Sequence, residues 1–141
     1  MTQAQRVHHI GVVVRSLDEA HRFFRDKLGL PLLKQQYIED QGVNASLLDL
    51  GNGLLELLEP VAPDTGIARY LERRGEGLHH VCLEVDGIAA ALAGLKAEGV
   101  PLIDETPRPG LTGTIAFIHP GALHGSLVEL LERSSAFRVE R

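Results

Sequence analysis

The sequence predicts an α+β fold of two βαβββ modules forming a curved, half-barrel-like mixed sheet around a cavity. Three observations carry this. The segment VHHIGVVV, residues 7–14, returns as LHHVCLEV, residues 78–85. Each copy leads into a helix-like stretch that ends in Gly-x-Pro, at Gly29-Leu30-Pro31 and again at Gly99-Val100-Pro101. Each half then closes on an apolar strand with an embedded glutamate, LELLE at residues 55–59 and VELLE at residues 128–132. Two copies cannot stack into an array, so the duplication is read as internal to a single domain over residues 1–141. The repeats span about residues 6–75 and 77–132, followed by a polar tail from Ser134 to Arg141.

The elements follow in order. Val7–Val14 is β-branched and apolar, a strand. Ser16 is the N-cap of the next element, with Glu19 three residues on completing a capping box. Leu17, Ala20, Phe23, Phe24 and Leu28 recur at helical spacing, and Gly29 with Pro31 ends the helix. Strands follow at Pro31–Tyr37, Ala45–Leu50 and Leu54–Leu58. Gly51-Asn52-Gly53 joins the last two as a hairpin, because all three residues tolerate positive φ. Pro63 to Arg74 is an amphipathic helix with Ile67, Tyr70 and Leu71 on its apolar face. In the second half Leu78–Val85 is a strand and Ile88 to Glu98 a helix ended by Gly99. A short strand is expected near Leu102–Ile103, then a turn from Pro107 to Gly113. Thr114–His119 and Ser126–Leu131 are the last strands, joined by a turn at Pro120–Gly125.

Bulk composition narrows the partners. The 141 residues are 44% hydrophobic and carry a net charge of −5. No Lys/Arg block is long enough for a nucleic-acid surface, and no apolar run is long enough to span a membrane. Met-Thr-Gln-Ala-Gln-Arg at the N-terminus has no apolar core of a secretory signal. Cys82 is the only cysteine, which excludes an intramolecular disulfide and fits a reducing compartment. A cytoplasmic protein is expected.

Strand side chains alternate faces with period two. Ile10, Val12 and Val14 therefore pack on the helix that follows, and His9 faces the other way. In the second copy Val81, Leu83 and Val85 face the helix while His80 and Cys82 do not. Glu56 lies opposite Leu55 and Leu57, and Glu129 opposite Val128 and Leu130. His9, Glu56, His80 and Glu129 thus fall, one per strand, on the faces away from the helices. A single His or Glu at a strand end is ordinarily solvated. Here the same residue types recur at equivalent positions inside apolar strands, where an unpaired carboxylate is costly to bury. Two imidazoles and two carboxylates suit a divalent first-row metal with open positions for water or substrate, which makes the expected cavity a metal cavity.

With these residues in place, the chain resembles the vicinal oxygen chelate superfamily (glyoxalase, bleomycin resistance, extradiol dioxygenase), and within it the methylmalonyl-CoA epimerases. The likeness covers about residues 6–132. VHHIGVVV, SLDEA, LGNGLLELLEP, GLHHVCLEVD and FIHPGALHGSLVELLE carry it by their order and spacing. It implies a metal-dependent epimerase acting on (R)- and (S)-methylmalonyl-CoA through a metal-stabilised enediolate. It implies a homodimer and an acyl-CoA substrate, with no nucleic acid or membrane partner. His9, His80 and Glu129 match the metal ligands, and Glu56 matches a position that holds Gln or Glu at or near the metal. The ion could be Co, Mn, Zn, Ni or Mg. His8 and His79 precede the ligand positions and point the other way.

The resemblance implies an acid–base pair that would remove and return the proton on carbon 2, with Glu129 the candidate for one role and Glu56 or a metal-bound water for the other. One departure concerns the second base. Some members carry a Glu after a Gln-Gly-Val segment, and the matching position beyond Gln41-Gly42-Val43 is Ala45. Another is the His-Pro-Lys triplet, which reads His119-Pro120-Gly121 and has no lysine for anionic ligand groups. His119 is a candidate for orienting substrate, and His124 reads as a turn residue. Arg22, Arg25, Lys34, Arg73, Arg74, Lys96 and Arg108 are available for coenzyme A phosphates without being assigned to them. The segment from Pro107 to Gly113 is either a closing loop or a surface turn. Rival readings are a glyoxalase I-type lactoylglutathione lyase, an extradiol dioxygenase needing only His9, His80 and Glu129, and a ligand-sequestering protein of the same fold.

Overall fold

The computed structural model describes residues 3–133, so the polar tail from Ser134 lies outside the described residues. The described residues divide into two compact units, one of residues 9–79 and one of residues 3–8 with 80–133. Each unit carries both parallel and antiparallel strand pairs.

In the unit of residues 9–79 the sheet order is β2-β3-β4-β1. Its strands are β1 (Arg6–Val13), which enters from the other unit at His9, β2 (Leu32–Ile38), β3 (Val43–Asp49) and β4 (Leu54–Pro60). β1 runs parallel to β4, and the remaining pairings are antiparallel. The face alternation read from β1 holds. Val12 and Val14 pack with Leu48, Leu55 and Leu57 against Leu17, Ala20 and Phe24. Each fully buried leucine in such a cluster contributes about 1.5–3 kcal/mol of burial.

Helix α1 (Leu17–His21) begins as expected, with Ser16 Oγ accepting from the Glu19 amide at 3.2 Å. It continues over Arg22–Lys27 as a π-helix rather than an α-helix. The Leu28 amide reaches back five residues to the Phe23 carbonyl. The wider turn changes the phase of the apolar stripe, so Phe24 packs inward while Phe23 and Leu28 are exposed. α2 (Gly66–Arg74) starts three residues later than Pro63, because Thr65 is the residue whose side chain caps it. Gly42 turns the chain into β3 with φ of 64°, and an added Cβ would sit 2.8 Å from both Ala62 Cβ and Thr65 Cγ2. Only glycine fits that approach.

The second unit repeats the plan with β5 (Gly77–Glu84), α3 (Ile88–Ala97), β6 (Arg108–Pro109), β7 (Gly113–Ile118) and β8 (Val128–Arg133). The order is β5-β8-β7-β6, with β5 parallel to β8. Val85, Ala116, Ile118, Val128 and Leu130 pack on Ile88, Ala91 and Leu92 of α3, and Val81 and Leu83 join them. Cys82, Ile115, Phe117 and Leu131 cluster on the opposite face.

One expected strand is displaced. Leu102 makes only an isolated bridge to Ile118, and the edge strand forms instead at Arg108–Pro109, inside the stretch read as a turn. Pro101, Pro107 and Pro109 lack the amide donors a longer ladder needs, which restricts pairing to short pieces. No helix among the described residues is long and apolar enough to cross a membrane.

The duplicated closing strands each carry two glutamates, and the structure separates their jobs. Glu59 Oε2 accepts from the Leu17 amide at 3.0 Å, and Glu132 Oε1 accepts from the Ile88 amide at 2.9 Å. Each unit therefore seats a carboxylate from its last strand on the N-terminus of its own helix, where unpaired amides and the helix dipole favour negative charge. That accounts for Glu59 and Glu132 and leaves Glu56 and Glu129 to be explained otherwise.

A buried polar pair lies under α1. His21 Nε2 is 2.9 Å from Ser46 Oγ. Burial first, and then the Arg25 guanidinium, hold the imidazole below its ordinary pKa, against smaller opposing pulls from Asp18, Asp26 and Glu59. A base depressed in the folded state favours folding above its unfolded pKa, roughly 6.5. That stability is lost as pH falls toward the folded value, where the unfolded chain binds the extra proton. Unfolding free energy from urea titrations at stepped pH should therefore decline below about pH 6.5, by at most about 1.4 kcal/mol per pH unit from this group. The His21→Gln variant should show a shallower decline; an unchanged slope would remove His21 as its source.

Candidate metal centre

In the unit of residues 9–79, β1 and β4 run side by side with Gly11 directly across from Glu56. Gly11 brings no side chain to that pairing. His9 precedes it by two residues on the same face, and its Nε2 lies 3.5 Å from Glu56 Oε1. His9 is 3% exposed and Glu56 8%. Across β3, Leu47 is opposite Glu56 and Ala45 is opposite Leu58. Ala45 thus shares the face of Glu56 and is fully buried, presenting a methyl group to it.

The other unit builds the same pair from equivalent strands. Cys82 and Phe117 flank Glu129 in the ladder, as Gly11 and Leu47 flank Glu56. His80 Nε2 lies 3.2 Å from Glu129 Oε1, with both residues buried. The Phe117 ring meets the His80 imidazole edge-on, with centroids 5.7 Å apart. The four residues singled out from the sequence are therefore two buried His–Glu pairs, one in each unit.

The donor chemistry of each pair fits a divalent cation. Two ligand atoms held at about 2.1 Å in neighbouring coordination positions are roughly 3 Å apart, close to the separations seen here. Nitrogen and carboxylate oxygen suit zinc, cobalt, manganese or nickel, and the oxygens also suit magnesium. An ion would also offset the cost of burying the carboxylates.

The remaining histidines are placed elsewhere. His8 Nε2 is 3.3 Å from Thr112 Oγ1, a buried contact to the segment between β6 and β7. His79 packs edge-on against Tyr70, with centroids 5.0 Å apart. His119 is exposed and caps its own turn, its Nδ1 accepting from the Gly121 amide at 3.0 Å. His124 adopts a positive φ of 58° in that turn.

Sequence reasoning did not find Phe117 as the neighbour of His80. The period-two run Ile115, Phe117 was visible, but the contact depends on the β7–β8 register. Nor did it find Arg108 as a strand residue. Its guanidinium lies 5.5 Å from the Phe117 ring centroid, and its Nε is 3.4 Å from each carboxylate oxygen of Asp104.

Comparison with known proteins agrees with this architecture. Residues 8–117 match the Glyoxalase/Bleomycin resistance protein/Dioxygenase superfamily. An uncharacterised protein of Bacillus subtilis, YqjC, is 41% identical over 90% of this chain and 91% of its own length. The mitochondrial methylmalonyl-CoA epimerase of Mus musculus is 36% identical over 89% of this chain and 71% of that protein. The crystal structure of methylmalonyl-CoA epimerase from Mycobacterium tuberculosis is 32% identical, with a TM-score of 0.90 over 94% of this chain and 91% of that one. With the same βαβββ duplication and a family match over most of its length, this chain belongs to the glyoxalase, bleomycin resistance protein and dioxygenase superfamily and, within it, to the family of the methylmalonyl-CoA epimerases.

Proposed function

We propose that this protein interconverts (R)- and (S)-methylmalonyl-CoA by removing and returning the proton on carbon 2. The observation that carries the reading is the pair of buried His–Glu couples on repeat-equivalent strands, in a chain of the epimerase family. His9, Glu56, His80 and Glu129 would hold one divalent cation. When bound, that ion supplies Lewis-acid stabilisation of the negative charge that develops on the thioester oxygen.

The chain's own residues do the proton chemistry. Glu129 accepts the proton from one face of carbon 2, and a second group returns one to the other face. The residue at the family's second-base position is Ala45, whose methyl group can move no proton. Glu56, on the same face, takes that role in this proposal. Both carboxylates lie among apolar side chains, where charge interactions act more strongly than in water. His119, whose Nδ1 is engaged by Gly121, would orient substrate through Nε2. Assembly as a homodimer belongs to the same proposal and is read by multi-angle light scattering.

The test is solvent deuterium. Purified protein incubated with one methylmalonyl-CoA epimer in deuterated water should place deuterium on carbon 2 and generate the other epimer. The hemithioacetal of glutathione and methylglyoxal should give no lactoylglutathione. Absence of exchange with methylmalonyl-CoA, together with lactoylglutathione production, would transfer the site to glyoxalase chemistry.

A further inference from the structure

We infer that Arg108 is a substrate-binding residue that meets an anionic group of the acyl thioester and so sets specificity. The inference rests on the acyl-CoA reading above. In the two-residue strand β6, Arg108 lies directly across from Ile115. Directly opposed residues share a face, so Arg108 projects on the side of Ile115, Phe117 and Glu129. Its guanidinium lies over the Phe117 ring, and that same ring contacts His80. One aromatic side chain thus lies between a permanent cation and a His–Glu couple.

The Phe117 ring and the Asp104 carboxylate hold this arginine in place. Asp104 meets its Nε edge, and the same carboxylate accepts from the Phe117 amide at 2.8 Å. The anchor, the stacking surface and the strand beneath are one connected assembly. An arginine ordered in advance loses less side-chain entropy when it takes up a carboxylate or phosphate. Arg108 is half-buried, as is Lys34 on β2 of the other unit, whereas Arg22, Arg25, Arg73, Arg74 and Lys96 are exposed. Position 121, where a lysine would supply a cation from the turn after β7, is Gly121. A substrate with a free carboxylate and coenzyme A phosphates would meet on β6 an arginine already ordered by Asp104 and the Phe117 ring.

The ligand chemistry is an oxyanion, and the experiment separates its two sources. Titration calorimetry of the metal-loaded full chain would use malonyl-CoA, acetyl-CoA (phosphates, no free carboxylate) and malonyl-pantetheine (carboxylate, no phosphate). Arg108→Gln should weaken malonyl-CoA binding by roughly 10–100-fold, the effect of one charge-assisted contact. Loss carried over to malonyl-pantetheine but not acetyl-CoA identifies the carboxylate; the reverse identifies a phosphate. Arg108→Lys retains the charge and much of the stem, so it should bind between the two if the contact is to an anion. Lys96→Gln should bind as the parent does. Arg108→Gln and Arg108→Lys both within twofold of the parent for malonyl-CoA would overturn the inference, as would a loss equal for all three ligands. A parent chain that binds malonyl-CoA but exchanges no deuterium with methylmalonyl-CoA removes the epimerase reading and leaves the Arg108 test intact. One that binds none of the three ligands overturns both.

Discussion

Replacing Glu129 by Gln should lower epimerisation by roughly 10²–10⁴-fold, the usual contribution of a positioned acid–base group. The amide keeps the volume of the carboxylate in a position that is 4% exposed, so the strand β8 and its ladder to β7 should survive. What it removes is a proton acceptor. The informative readout is the difference between epimers. If Glu129 serves one face of carbon 2 and Glu56 the other, then Glu129→Gln should still exchange deuterium with one epimer while failing to produce the second. Glu56→Gln should show the opposite preference. Each variant is assayed with saturating metal, so that weaker ligation is not mistaken for a lost base. Equal exchange with both epimers by Glu129→Gln would show that the proton leaves to some other group. Ala45 gives the experiment its point, because a methyl group occupies the position from which a second base would be expected.

His80→Ala should abolish stoichiometric metal binding, and His9→Ala should do the same from the other pair. Elemental analysis of the purified parent should find about one divalent ion per chain, and either variant well below it. The second readout is stability. A ligand that binds only the folded state raises stability by about 2.7 kcal/mol at a free concentration 100 times its Kd. A chelator should therefore lower the melting temperature of the parent and leave both histidine variants unmoved. His80→Ala carries an extra cost, since it takes away the imidazole 3.2 Å from the buried Glu129 carboxylate. A parent chain free of metal after purification, with no thermal response to chelator or to added zinc, cobalt or manganese, would refute the four-residue centre and leave two buried His–Glu contacts of structural purpose.

The candidate site was legible because the repeat and the strand period select the same residues independently. Face alternation chooses His9 over His8 and His80 over His79. The structure pairs each chosen histidine with the glutamate of its own half, and it puts His8 on Thr112 and His79 on Tyr70. The fourfold glutamate pattern was harder to read. Glu56 and Glu59, like Glu129 and Glu132, look alike in sequence. A three-residue offset along a strand puts the second of each on the opposite face, where it meets a helix amide. The π-wound end of α1 had no signal in the periodicity, since Phe23 and Phe24 satisfy a helical stripe at either winding.

What the amino-acid order determined alone is local or periodic: the strand faces, the Ser16 cap, the glycine turns, and the identity of the four ligand candidates. These depend on side-chain spacing and on backbone angles that few residues can adopt. Only the tertiary structure decided which partner each polar group meets. The ladder between β1 and β4 puts Gly11 against Glu56, that between β5 and β8 puts Cys82 against Glu129, and β6 brings Arg108 to Phe117. Register between strands distant in sequence is selected by the burial of whole apolar faces, and no short segment contains that information.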